Sequence, residues 1–148
     1  MNERAPGEQP IRRIGVGAVT LHELTFVNDP RGDLSAGEFE RQVPFVARRY
    51  FMVFDVPSER VRGEHAHRAC HQFLICARGE CRVGIDDGRQ SADVVLDRPD
   101  VGLYLPPMIW TTHSRHSSDA LLLVFASDYY DPADYIRDYR AFLAELRG

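Results

Sequence analysis

His65-Ala66-His67, preceded by Arg62-Gly63-Glu64, sets two imidazoles one residue apart in a context that reads as strand. Successive side chains of a strand point to opposite faces, so His65 and His67 share one face and Ala66 takes the other. Two imidazoles side by side inside a small barrel can move protons near neutral pH or hold a metal ion. The run Gln72-Phe73-Leu74-Ile75-Cys76, broken at Gly79, reads as the next strand and its turn.

The elements that must position this pair are mostly strands. Arg49–Phe54 is aromatic and β-branched and stops at Asp55 and Pro57. Further strands are expected at 65–69, 72–77, 81–85, 92–96, 102–105, 111–114 and 121–127, with Asp86-Asp87-Gly88 as a hairpin turn. Short strands separated by Gly, Pro and Asp indicate an antiparallel barrel or sandwich. The pattern then changes. Asp131 and Pro132 read as the cap and first position of a helix over about 131–147, with Asp134 near its positive end. Tyr135, Ile136, Tyr139, Phe142, Leu143 and Leu146 give that helix one apolar stripe. Residues 1–12 read as a flexible tail and 13–148 as one domain.

Composition narrows the chemistry. The chain has 148 residues and a net charge of −4, so it offers no basic field for nucleic acid or an anionic membrane. All 18 basic residues are arginine. The absence of lysine excludes Schiff-base chemistry and a Walker-type loop, and leaves the guanidinium fork as the cationic route to phosphate. Cys70, Cys76 and Cys81 are odd in number and lack CxxC spacing, which argues for small buried apolar groups. No apolar run reaches membrane-span length and no signal-peptide core opens the sequence, so a cytoplasmic location is expected.

From about Arg31 to Phe142 the chain resembles the bacterial sugar-nucleotide 3,4-ketoisomerases that act on dTDP-4-keto-6-deoxyglucose. The likeness is carried by Arg31-Gly32-x-Leu34 with Glu38, Pro44-Phe45, Arg49, and Arg62-Gly63-x-His65-Ala66-His67. It continues through Gln72 and Cys76, Asp86-Asp87-Gly88, Leu96-Asp97, Gly102-Leu103-Tyr104, Pro107 and Trp110. It closes with Ser117-Ser118-Asp119, the run from Ala126 to Asp131, and Asp134-Tyr135-Ile136-Arg137 with Tyr139. Departures are Met52 where the family often has tyrosine, Arg68 for lysine, His71 for glutamate, and Thr111-Thr112-His113 after Trp110.

The resemblance implies an all-β cupin, a double-stranded β-helix or jelly-roll barrel with a C-terminal α-helix. It implies homodimers, often with exchanged N-terminal strands, and catalysis with neither metal nor cofactor. The substrate would be a dTDP-linked 4-keto-6-deoxy sugar, isomerised to the 3-keto sugar for deoxyaminosugar or polysaccharide biosynthesis. Moving the ketone from C4 to C3 passes through an enediol and needs a base near neutrality, a donor for the oxygen and exclusion of water. His65 and His67 take those positions, one as proton-shuttling base and the other at the ketone oxygen. Arg49, Arg62 and Arg31 are candidates for the diphosphate. Tyr104 and Trp110 are candidates for stacking on thymine or walling the sugar, and Tyr50 or Tyr104 for the hydroxyl that Met52 lacks. Alternatives are a metal-dependent cupin using His65, His67, His71 and His113, and a non-catalytic nucleotide-sugar-binding module. A 3,5-epimerase is disfavoured by the HAH spacing and the C-terminal run.

Overall fold

The computed structural model describes residues 11–148. The first ten positions of the expected tail lie outside the described residues, and Ile11 and Arg12 belong to a strand. The strands are β1 (Ile11–Arg13), β2 (Thr20–Glu23), β3 (Thr25–Val27), β4 (Leu34–Ala36), β5 (Arg49–Phe54), β6 (Arg62–His67) and β7 (Gln72–Arg78). They continue with β8 (Cys81–Asp86), β9 (Ser91–Leu96), β10 (Val101–Leu105), β11 (Trp110–Ser114), β12 (Leu121–Ala126) and β13 (Tyr135–Ile136), and α1 spans Tyr139–Arg147.

Two antiparallel sheets face each other, in the order β1-β2-β10-β7-β12-β5 and β13-β6-β11-β8-β9, with β3 and β4 as a separate ribbon. The period-2 pattern explains the core between them. Leu74, Cys76, Leu103, Leu105, Leu122 and Val124 from the first sheet meet Val83, Ile85, Val94 and Leu96 from the second. Cys70, Cys76 and Cys81 are all free and buried, as their spacing suggested. The β8–β9 hairpin forms at the expected turn, where the Asp87 carboxylate accepts from Arg89 N and Gln90 N. Gly88 takes a φ of 93° there, which a side chain would disfavour.

The expected helix over 131–147 needs correction. Asp131 and Pro132 do cap a helical turn, but it is a 3-10 turn over Pro132–Asp134 only. The chain then extends, pairing Tyr135 with His67 and Ile136 with Ala66. Asp138 caps the true helix, its carboxylate accepting from Ala141 N. The helix packs outside the barrel: Ile136 and Phe142 close over Ala66 with Trp110 and Leu143 alongside. Backbone pairing and the Asp134 side chain, both satisfied by distant strands, outweigh the local helical signal.

Candidate active site

β6 carries the two histidines on the inner side of the barrel, and a distortion aims them. Gly63 and Glu64 have positive φ values of 82° and 55°. The β6–β11 register shifts between Thr111 and Thr112 beside them. A Cβ on Gly63 would sit 3.0 Å from the Thr111 carbonyl, so the close approach requires glycine. Such bulges re-aim side chains near functional sites. Here the Gly63 carbonyl is turned so that it accepts from His65 Nδ1 at 2.9 Å.

The rings of His65 and His67 lie 4.9 Å apart, nearly edge to face. Tyr135 covers both, with ring separations of 5.0 Å and 4.4 Å. Behind His67, Asp134 Oδ2 accepts from Nδ1 at 2.8 Å. The same carboxylate accepts from Ala69 N at 2.7 Å and Cys70 N at 3.3 Å. Those bonds fix it against the β6–β7 turn.

A carbonyl and a carboxylate both only accept, so Nδ1 carries the proton in each neutral imidazole and Nε2 the lone pair. Burial lowers the pKa of both rings. For His65 the Gly63 carbonyl opposes this and Arg137 adds to it. For His67 the Asp134 hydrogen bond is the main opposing influence. Both are therefore neutral near pH 7. His65 is half-buried, whereas His67 is 6% exposed and its Nε2 has no protein partner.

Of the other expected residues, Arg49 reaches this cluster. Its Nε donates to the Asp128 carbonyl at 2.9 Å and its Nη2 to the Tyr135 hydroxyl at 3.5 Å. It also lies over the Tyr130 ring. The remaining candidates lie elsewhere. Arg31 is 89% exposed and makes a bidentate pair with Asp29 in the β3–β4 turn. Arg62, at the far end of β6, acts on His113 and His116 rather than on His67. Tyr104 faces outward from β10, its hydroxyl 2.7 Å from His71 Nδ1 and its ring stacked on that imidazole. Trp110 packs against Tyr139 and Phe142 of α1. Tyr50 and Met52 alternate with the inward residues of β5 and are exposed. The tyrosine missing at Met52 therefore leaves this chain's histidine pair untouched.

The alternative metal quartet does not assemble, because His71 is tied to Tyr104 on the outer face. Residues that sequence reasoning had not placed in the site are Asp134, Tyr135 and Arg137. Arg137 lies 4.5 Å from the Tyr135 ring and acts on His65. They lie more than sixty residues from the histidines in the chain, as the separation of His67 and Asp134 shows. No short-range signal links them. No helix among the described residues is long and apolar enough to cross a membrane.

Residues 17–147 match the family model FdtA, WxcM-like, C-terminal. The chain is similar to the TDP-4-oxo-6-deoxy-alpha-D-glucose-3,4-oxoisomerase of Aneurinibacillus thermoaerophilus, with 46% identity over 114 residues, covering 77% of this chain and 82% of that protein. Its fold is similar to a mutant of the 3,4-ketoisomerase QdtA from Thermoanaerobacterium thermosaccharolyticum in complex with TDP-4-keto-6-deoxyglucose. There the TM-score is 0.87 and the identity 31%, over 89% of this chain and 96% of that one. It is also similar to the WlaRB TDP-quinovose 3,4-ketoisomerase of Campylobacter jejuni, with a TM-score of 0.84 and 39% identity over 87% and 99% of the two chains.

Proposed function

The chain belongs to the FdtA family (WxcM-like, C-terminal), and from that premise we propose that it is a sugar-nucleotide 3,4-ketoisomerase. It converts dTDP-4-keto-6-deoxy-D-glucose to a dTDP-3-keto-6-deoxyhexose. The observation that carries this reading is the neutral imidazole pair, 4.9 Å apart and backed by the Asp134 carboxylate.

His65 Nε2, its Nδ1 proton committed to the Gly63 carbonyl, removes the hydrogen from C3 of the sugar. The C3–H electrons form the C3=C4 bond, and the former ketone oxygen on C4 becomes an enediolate. That oxygen takes up a proton, the C3 hydroxyl loses one and C3 becomes the ketone, while protonated His65, after exchange with solvent, delivers a hydrogen to C4 and returns to its neutral form. Atoms and electrons balance with no oxidant or reductant. His67 carries the proton between the two oxygens, with Asp134 stabilising its charged form as in other carboxylate–imidazole pairs. Arg49 and the Tyr135 hydroxyl, which already meet at 3.5 Å, supply donors to the enediolate. Arg49 and Arg137 are better placed than Arg31 or Arg62 to meet the diphosphate.

Tyr50, Met52 and Phe54 form an exposed apolar row on β5, an edge strand, beside Phe125, Leu123 and Leu121 of β12. A second copy of the chain covering this face gives the homodimer. Light scattering should find a dimer that Phe54→Asp splits, and a monomeric wild-type protein would remove this part of the reading. The enzyme works in the cytoplasm, and an aminotransferase taking up the 3-keto product would lead to a 3-amino sugar for a surface polysaccharide.

The test is proton NMR of the purified protein with dTDP-4-keto-6-deoxyglucose in deuterated buffer containing chelator. A 3-keto product with deuterium at C4 is expected. An unchanged spectrum with dTDP still bound would instead favour a binding module.

A further inference from the structure

Cys70 plays no part in the proposed isomerisation, yet it stands at the back of the site. β6 ends at His67 and the turn Arg68-Ala69-Cys70 follows, so the two residues have H-x2-C spacing. Asp134 is clamped to that turn by the Ala69 and Cys70 amides. One imidazole nitrogen of His67, the Cys70 Sγ and a carboxylate oxygen of Asp134 all lie within 4.8 Å of one another. No other triple of His, Cys, Asp or Glu groups among the described residues meets that condition.

Imidazole, thiolate and carboxylate are the ligand types of zinc, and a two-residue spacer is within the range of its half-sites. A thiolate in the set favours a soft or borderline ion over magnesium or calcium. Three protein ligands leave one tetrahedral position. A cavity of about 10 Å³ adjoins the triple, lined by His67, Cys70, Gln72 and Thr111. That is close to the volume of a single water-sized ligand. Gln72, buried and with no protein partner for its Nε2, lines the cavity and supplies a polar group for such a ligand.

The geometry points to a binding site for a zinc-like divalent cation formed by His67, Cys70 and Asp134, whose occupation switches the isomerase off. Binding expels the Cys70 thiol proton to solvent, and ligation through Nδ1 moves the imidazole proton to Nε2. His67 then cannot cycle between neutral and charged forms. This consequence rests on the catalytic reading of His67; the site itself does not.

Titration of the chelator-stripped protein with Co²⁺ separates the two. One ion per chain with a thiolate-to-cobalt charge-transfer band is expected. Zn²⁺ at the same stoichiometry should lower turnover on the order of a hundredfold, the scale of a lost acid–base group, and chelator should restore it. Cys70→Ser should lose the band and the zinc sensitivity together. ¹¹³Cd NMR of the wild-type protein reads one-sulfur ligation without any variant. A cobalt spectrum without the thiolate band, or a cadmium resonance without sulfur, overturns the site. Thiolate ligation with turnover intact keeps the site and overturns the role given to His67.

Discussion

Replacing Asp134 by Asn tests the proton chemistry with little change in shape. The carboxylate accepts three hydrogen bonds, from His67 Nδ1, Ala69 N and Cys70 N. An amide can keep the bond from Ala69 N through its carbonyl oxygen, but its NH2 group then faces the Nδ1 proton. The imidazole must shift its proton to Nε2 or leave the pair. A hydrogen bond to a charged group contributes about 1.5–3 kcal/mol. Losing it from the charged form of His67 alone slows turnover roughly ten- to two-hundred-fold. The enforced tautomer adds to this, and carboxylate-to-amide changes behind a catalytic histidine reach about 10⁴-fold. Stability should fall by about 1–2 kcal/mol, because the bond from Ala69 N persists while the longer one from Cys70 N, which shares Oδ2 with His67, is lost. The pH profile separates positioning from mere structure. Asp134 raises the His67 pKa against the larger effect of burial, so Asp134→Asn should move the acid limb of kcat to lower pH. Steady-state assays across pH 5–9 with thermal melting provide the readout. Turnover within twofold of wild type, or a loss with the acid limb unmoved, would refute the assignment.

His65→Asn and His67→Asn should each lose most turnover while melting close to wild type, and full activity in both would end the mechanism. In His65→Asn, exchange of the C3 hydrogen with deuterated solvent should stop as well, which NMR reads directly. His113, inside the barrel, is lowered to about 3 by burial first, then by His65, His116 and Arg62. Its folded pKa lies below the unfolded value of about 6.5. The folded state therefore binds fewer protons between the two, and stability falls as pH drops from about 6.5 towards 3. At pH 5 the cost on this residue's account is about 2 kcal/mol, at about 1.4 kcal/mol per unit. Urea unfolding of His113→Gln should show that much less loss than wild type between pH 7 and pH 5. Equal losses would contradict the burial argument.

The strands were legible because alternation and Gly/Asp turns are local signals, and for the same reason His65 and His67 could be put on one face. Strand parity also groups Tyr50 with Met52 and Phe54. It does not say which face is inner, because β5 is apolar on both. The same ambiguity holds for Tyr104 and Trp110, which lie opposite the core-facing Leu103 and the buried Thr111 on their strands. The segment after Tyr130 was the hardest to read. Asp131-Pro132 is a true helix-start signal. Yet the residues after it are recruited by β6 and by the β6–β7 turn, partners fixed by tertiary structure alone. Asp134 thus looked like a dipole-stabilising residue in the sequence, and Tyr135 like part of a helical stripe.

The short pairing of Tyr135 and Ile136 with β6 has a consequence for how the molecule matures. Both sheets draw their core strands from residues that precede this segment in synthesis. The strands of both sheets other than β13 can therefore pair before Asp134 and Tyr135 reach β6. Such a chain would hold its histidine pair without the Asp134 carboxylate or the Tyr135 ring, and would be chemically silent. Activity would begin only when the trailing strand is zipped onto β6, so the enzyme's birth as a catalyst comes later than its birth as a fold.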